Sequence, residues 1–277
     1  GFSLVVARCY GSRDRETMGR AVTAALWLWA GLSLFTSLAG LLAVEPLLRA
    51  LHTPDAALDM AVSYLRVIFL GMPVLLAYNM LSGLLRGIGD SLMPLMFLLA
   101  AALCNIGLDL LLVAGFGMGV SGAAVATVIA EGFSVLLCLW YMAVRCPELR
   151  PGRRQGGEKA LSRWLPDRNV FWQMLGTGLS MGLMMCFVDI GIMILQSAIN
   201  NLGTGIVGGY ITARRFHSVF MLALGTLGVT ASTFASQNIG AGQWKRARQG
   251  VRHALFLALV NALAGGTANV YALNALL

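Results

Sequence analysis

The sequence predicts an all-α membrane protein, a polytopic helical bundle, and three observations carry that reading. First, 58% of the 277 residues are hydrophobic and 12% are charged, where ordinary soluble domains carry about 25% charged residues. Second, the apolar residues fall in long runs, over about 21–44, 60–81, 94–114, 120–143, 170–199 and 206–236, with a seventh from 250 onward. Such runs outlast any soluble strand and reach the roughly 20 residues a helix needs to cross a bilayer. Third, the basic residues sit in short clusters between the runs: at Arg8–Arg20, at the Arg86 turn, in 144–169 and at Lys245–Arg248. The loops at 45–59, 115–119 and 200–205 carry no excess of positive charge. This alternation places the basic loops in the cytoplasm and the others outside.

Each element has its own justification. Residues 1–7 are the last turns of a helix, and 8–20 form a polar loop. The next two runs are joined by a loop containing Pro46 and Pro54, and Pro73 is an expected kink in the second. The turn around Gly87–Ser91 leads into a third run in which Asp90 or Ser91 caps the helix and Pro94 lies in the first turn. Gly115 to Gly119 is a tight turn, so runs three and four form a helical hairpin. Gly122, Ala126 and Ala130 then make a small-residue face suited to close helix contact. The expected domains are a partial N-terminal lobe over 1–143, a basic cytoplasmic linker over 144–169 and a partial C-terminal lobe over 170–277. Both ends lie inside apolar stretches, so a fragment is expected.

The net charge of +8 belongs to these loops, so a lipid bilayer is the implied partner and nucleic acid is not. The five cysteines form no C-x-x-C pair and read as small hydrophobes. His52, His217 and His253 lack metal-site spacing, and no nucleophile–base pair appears, so an enzyme is not expected. No organic cofactor is expected.

An internal repeat is visible at a shift of 229. Ser3 meets Ser232, Gly11 meets Gly240, Val22 meets Val251, and Ala25, Leu26 and Leu28 meet Ala254, Leu255 and Leu257. Both copies place helix, Gly-bearing basic loop and helix in the same order. A repeat of six spans keeps its orientation, which predicts parallel six-helix halves with about seven of twelve spans present.

The polar residues inside the apolar runs are the functional candidates, because a charge in hydrocarbon is costly. Asn105 and Asp109 are four residues apart and share a helix face, and Thr127 lies on the partner helix of the hairpin. Residues 109 and 127 are equidistant from Met118 at the turn, so equal depth is expected. A carboxylate, an amide oxygen and a hydroxyl are ligands for Na⁺ or stations for a proton. Asp189, in the fifth run, is a candidate second cation or substrate site. Tyr78, Asn79 and Arg214 are weaker candidates for lining a cavity, with helix packing and outward snorkelling as their competing roles.

The motif residues resemble one family, the multidrug and toxic compound extrusion (MATE) transporters. The resemblance rests on Ser82-Gly83, Arg86-Gly87, Gly89-Asp90-Ser91 and Pro94, and runs on through Asn105 and Leu108-Asp109. It continues at Gly119-Val120, Gly122-Ala123-Ala124 and Ala126-Thr127, then at Gln237-Asn238 and Gly240-Ala241-Gly242. It implies a two-lobed, twelve-helix antiporter, monomeric in the plasma (inner) membrane, that exports organic cations and drugs in exchange for H⁺ or Na⁺. It gives Asn105, Asp109 and Thr127 the cation-coupling role. Arg8 stands where the family usually has Gln, and the family's first-helix aspartate is outside this chain. The alternative is a flippase for lipid-linked oligosaccharides, whose cavities favour cationic linings.

Overall fold

The computed structural model describes residues 2–50, 54–149, 165–200 and 204–276. Among them every regular element is helical: α1 (Phe2–Ser12), α2 (Arg15–Ala50), α3 (Asp55–Gly87), α4 (Leu92–Asp109), a π-helical segment (Leu110–Gly115), α5 (Gly119–Arg145), a 3₁₀ turn (Pro147–Leu149), α6 (Arg168–Asn200), α7 (Thr204–Gly240) and α8 (Trp244–Leu276). Among the described residues six of these elements are long and apolar enough to span a membrane: α2, α3, α4 with its π segment, α5, α6 and α7. α8 is as long as its neighbours and carries Lys245, Arg246, Arg248 and Arg252 at its start. Most of the expected linker falls on 150–164, outside the described residues. The helices outrun the expected spans. α2 continues through Pro46 to Ala50, and Glu45 accepts from Arg49 on the same helix (3.0 Å) and from Arg66 on α3 (3.3 Å).

The chain divides into two compact units. One comprises Phe2–Val6 and Asp14–Leu175, the other Ala7–Arg13 and Gly176–Leu277. In the first, α3 packs against α2 and α5, and α5 against α4. Pro73 lies inside α3 and lacks the N–H that would bond the Phe69 carbonyl one turn back. In a membrane that carbonyl needs another donor. The Ser37 hydroxyl on α2 supplies it at 2.7 Å, and the Trp29 indole N–H donates to the Pro73 carbonyl at 2.9 Å. Interhelical bonds of this kind average about 0.6 kcal/mol, so they fix register more than they hold the helices together. Close packing does the rest. A Cβ on Gly40 would stand 2.0 Å from the Phe69 ring, and one on Gly71 would stand 2.3 Å from Val128. The small-residue face of α5 is buried as expected and runs further, through Gly122, Ala126, Ala130, Ser134 and Cys138. Asp90 caps α4: its Oδ1 accepts from the Met93 N–H at 3.1 Å, and its Oδ2 accepts from the Tyr141 hydroxyl at 2.8 Å.

In the second unit α7 packs on α8. Gly250 sits against the Phe234 ring, and the Asn261 amide donates to the Phe220 carbonyl at 3.2 Å. The end of α1 belongs to this unit and meets the end of α7 in a reciprocal contact. A Cβ on Gly11 would lie 1.9 Å from the carbonyl oxygen of Gln237, and a Cβ on Gly240 would lie 2.1 Å from that of Arg8. The repeat shift of 229 exchanges Gly11 with Gly240 and Arg8 with Gln237, so each side of the contact is the image of the other.

Candidate functional site

Asn105 and Asp109 occupy the last turns of α4, both half-buried. Asn105 Nδ2 and Asp109 Oδ1 are fully enclosed, and neither has a hydrogen-bond partner among the described residues. A buried polar atom left unpaired costs about 1–3 kcal/mol, more if it is charged. Two such atoms lie here one helical turn apart.

The backbone changes at the same point. α4 ends at Asp109 and the chain widens into π-helix from Leu110 to Gly115. Short π segments recur at functional sites. Here the cause lies in the turn that follows. Gly117 and Gly119 adopt left-handed backbone (φ 66° and 58°), which lets the Met118 N–H reach back to the Leu112 carbonyl at 3.0 Å. α5 then starts close against this turn, since a Cβ on Gly122 would lie 3.3 Å from the Leu112 carbonyl.

Thr127 lies on α5, which packs on α4, and its hydroxyl donates to the Ala123 carbonyl of its own helix at 2.9 Å. No hydrogen bond joins it to Asp109 or Asn105 among the described residues. A hydroxyl bonded back to its helix still has lone pairs to offer a cation.

The other candidates are dispersed. Asp189 is exposed on α6 and Arg214 is exposed on α7. Arg214 lines a groove of about 230 Å³ with Gln196, Ile211, Arg215 and Ser218. Tyr78 is buried, and its hydroxyl donates to the Pro94 carbonyl at 2.9 Å, tying α3 to α4. Asn79 is exposed, and its amide donates to the Leu75 carbonyl of its own helix.

One intramembrane acid was passed over in the sequence. Glu131 lies midway along α5, half-buried, one turn beyond Thr127. The Ser134 hydroxyl lies 3.3 Å from Glu131 Oε2, and Glu131 forms no ion pair among the described residues. The signal was available: an isolated carboxylate inside an apolar run, at helical spacing from a polar candidate.

Comparison with known proteins follows the same lines. The MatE family model matches residues 1–111 and 180–276. A "Probable multidrug resistance protein YpnP" of Bacillus subtilis is 32% identical over 244 residues, covering 87% of this chain and 52% of that protein. An "FAD transporter" of Shewanella oneidensis is 24% identical over 268 residues, covering 94% of this chain and 57% of that protein. A solved outward-facing conformation of a multidrug resistance MATE family transporter superposes with a TM-score of 0.83 at 25% identity, over 95% of this chain and 57% of that one. The chain thus spans about half the length of the curated relatives it matches. Family members are transporters, not enzymes, and the apolar helices make this a multi-pass membrane protein. The chain belongs to the MatE family of membrane transporters.

Proposed function

We propose that this chain is the ion-coupling part of an antiporter that exports organic cations and drugs by alternating access, exchanging them for H⁺ or Na⁺. The observation that carries the reading is the enclosed, unpartnered Asp109 Oδ1 beside the π segment, with the Asn105 side chain one turn away. A proton or sodium ion taken up by the Asp109 carboxylate removes an uncompensated charge from the apolar interior. Asn105 and Thr127 supply neutral oxygens to the same ion, and Glu131, one turn along α5 from Thr127, extends the polar track. Release of the ion restores the charge, and the difference in stability between the two forms biases the helices between two packings. Relatives named as multidrug resistance proteins support the substrate class. The protein works as a monomer in the plasma membrane.

The flippase reading for lipid-linked oligosaccharides draws on one feature, the Arg214–Arg215 groove. It ranks second, because the membrane-depth ionisable group with an enclosed unpartnered atom is an acid, Asp109.

The test is transport by the full-length protein in proteoliposomes. Asp109→Asn removes one charge-assisted interaction with the ion and should lower ion affinity about 10- to 100-fold, abolishing gradient-driven efflux at ordinary gradients. Efflux that still follows the ion gradient in this variant would overturn the assignment.

A further inference from the structure

The start of α8 carries a feature outside the proposed coupling site. Trp244, Lys245, Arg248 and Arg252 line a groove of about 620 Å³, whose apolar wall includes Ile239 and Val251. The three cations fall at i, i+3 and i+7, so they share one helix face. Arg246 points elsewhere, with its guanidinium 5.8 Å from the centre of the Phe234 ring.

Acids are scarce in this part of the sequence. Asp189 is the last acidic residue of the sequence, and none follows it to Leu277. It is also the only acid in the second unit. Among the described residues no ion pair involves Lys245, Arg248 or Arg252. Trp244 is 66% exposed beside them. An exposed indole next to lysine and arginine at a helix end is how a protein meets the headgroup layer. Mutual repulsion among three cations is relieved by an anion, and the apolar wall of the groove asks for a ligand that also carries hydrocarbon.

We propose that this groove binds the headgroup of an anionic phospholipid, with the phosphate among Lys245, Arg248 and Arg252 and the acyl chains along Ile239 and Val251. Arg8–Arg20, the repeat-related segment, offers no such site. Its positions matching Lys245, Arg248 and Arg252 are Glu16, Gly19 and Thr23.

The experiment reads Trp244 fluorescence, taken as the difference between the full-length protein and its Trp244→Phe variant. Both are reconstituted with phosphatidylglycerol or phosphatidylcholine brominated in the acyl chains. Quenching by brominated phosphatidylglycerol should half-saturate at a lower mole fraction than quenching by phosphatidylcholine. The preference should fall about fivefold for each cation removed in Arg248→Gln and then Lys245→Gln/Arg248→Gln/Arg252→Gln. Quenching by phosphatidylcholine should be unchanged in these variants, which shows that they are folded. In the unaltered protein, raising salt should narrow the preference without any substitution. Equal quenching by the two lipids overturns the proposal. So does a preference that survives the triple substitution, resists salt, or is erased by millimolar inorganic phosphate.

Discussion

At Arg13 the chain leaves its first helix through left-handed backbone (φ 55°), and 229 residues later Gly242 makes the same exit (φ 71°). The backbone bonds agree on both sides. Arg13 N–H donates to the Tyr10 carbonyl at 3.2 Å and Gly242 N–H to that of Ile239 at 3.0 Å, while Met18 bonds Asp14 and Ala247 bonds Gln243, each at 3.0 Å. α2 starts at Arg15 and α8 at Trp244, again 229 apart. The charges do not agree. In the first copy Asp14 caps α2, accepting from the Glu16 and Thr17 N–H groups, and Arg20 pairs with Glu16 and with Asp167 (3.1 Å). In the second copy Gln243 replaces the aspartate, and no ion pair involves Lys245, Arg248 or Arg252 among the described residues. Backbone geometry is thus shared where the two helix ends touch, and charge has diverged where each copy faces its own surroundings.

The largest effect should come from the shared part. Gly11→Ala and Gly240→Ala each drive a methyl into a backbone carbonyl, which cannot swing aside as a side chain can. Each should cost about 3 kcal/mol or more in thermal unfolding in detergent. The two changes touch one contact, so the double variant should lose less than the sum. Additive losses would break the claim that the sites are one.

A smaller effect separates Arg13 from Gly242. Left-handed backbone costs a residue with a Cβ about 1 kcal/mol, so Arg13→Gly should raise stability by up to about that amount and Gly242→Ala should lower it similarly. A Cβ on Gly242 meets nothing within 4 Å, so backbone strain is isolated from crowding. Opposite shifts in melting temperature are the expected reading.

The smallest effect is the cap. Asp14→Ala should cost about 1 kcal/mol, and Gln243→Ala should cost less, since no cap bond is seen from the Gln243 side chain. The hydrogen bonds from Thr17 hold the Asp14 carboxyl below its ordinary value of 3.8. A group with a depressed folded pKa contributes stability above its unfolded pKa and loses it as pH falls through the folded one. The difference between Asp14→Ala and the unaltered protein should therefore persist at pH 5 and close below about pH 3.8. A constant difference down to pH 3 would mean that the cap acts through something other than its charge.

Much of this was legible in the sequence. Run lengths and loop charges locate the helices because a bilayer enforces both. The 229 shift surfaced through a handful of identities, and the contact pair Gly11 and Gly240 was among them. Asn105 and Asp109 stood out because four residues is one helical turn. The π segment between Asp109 and Thr127 has no signature in residue spacing. That Ser37 serves the carbonyl freed by Pro73 depends on how two helices cross, which no spacing within either helix encodes. Glu131 is legible by the same rule as Asp109, a lone carboxylate in an apolar run.

The contact of Gly11 with Gln237 and of Gly240 with Arg8 reads the same from either end. That is the signature of an isologous dimer interface, here drawn inside a single polypeptide. One helix end carries both the notch and the ridge that fills its twin's notch.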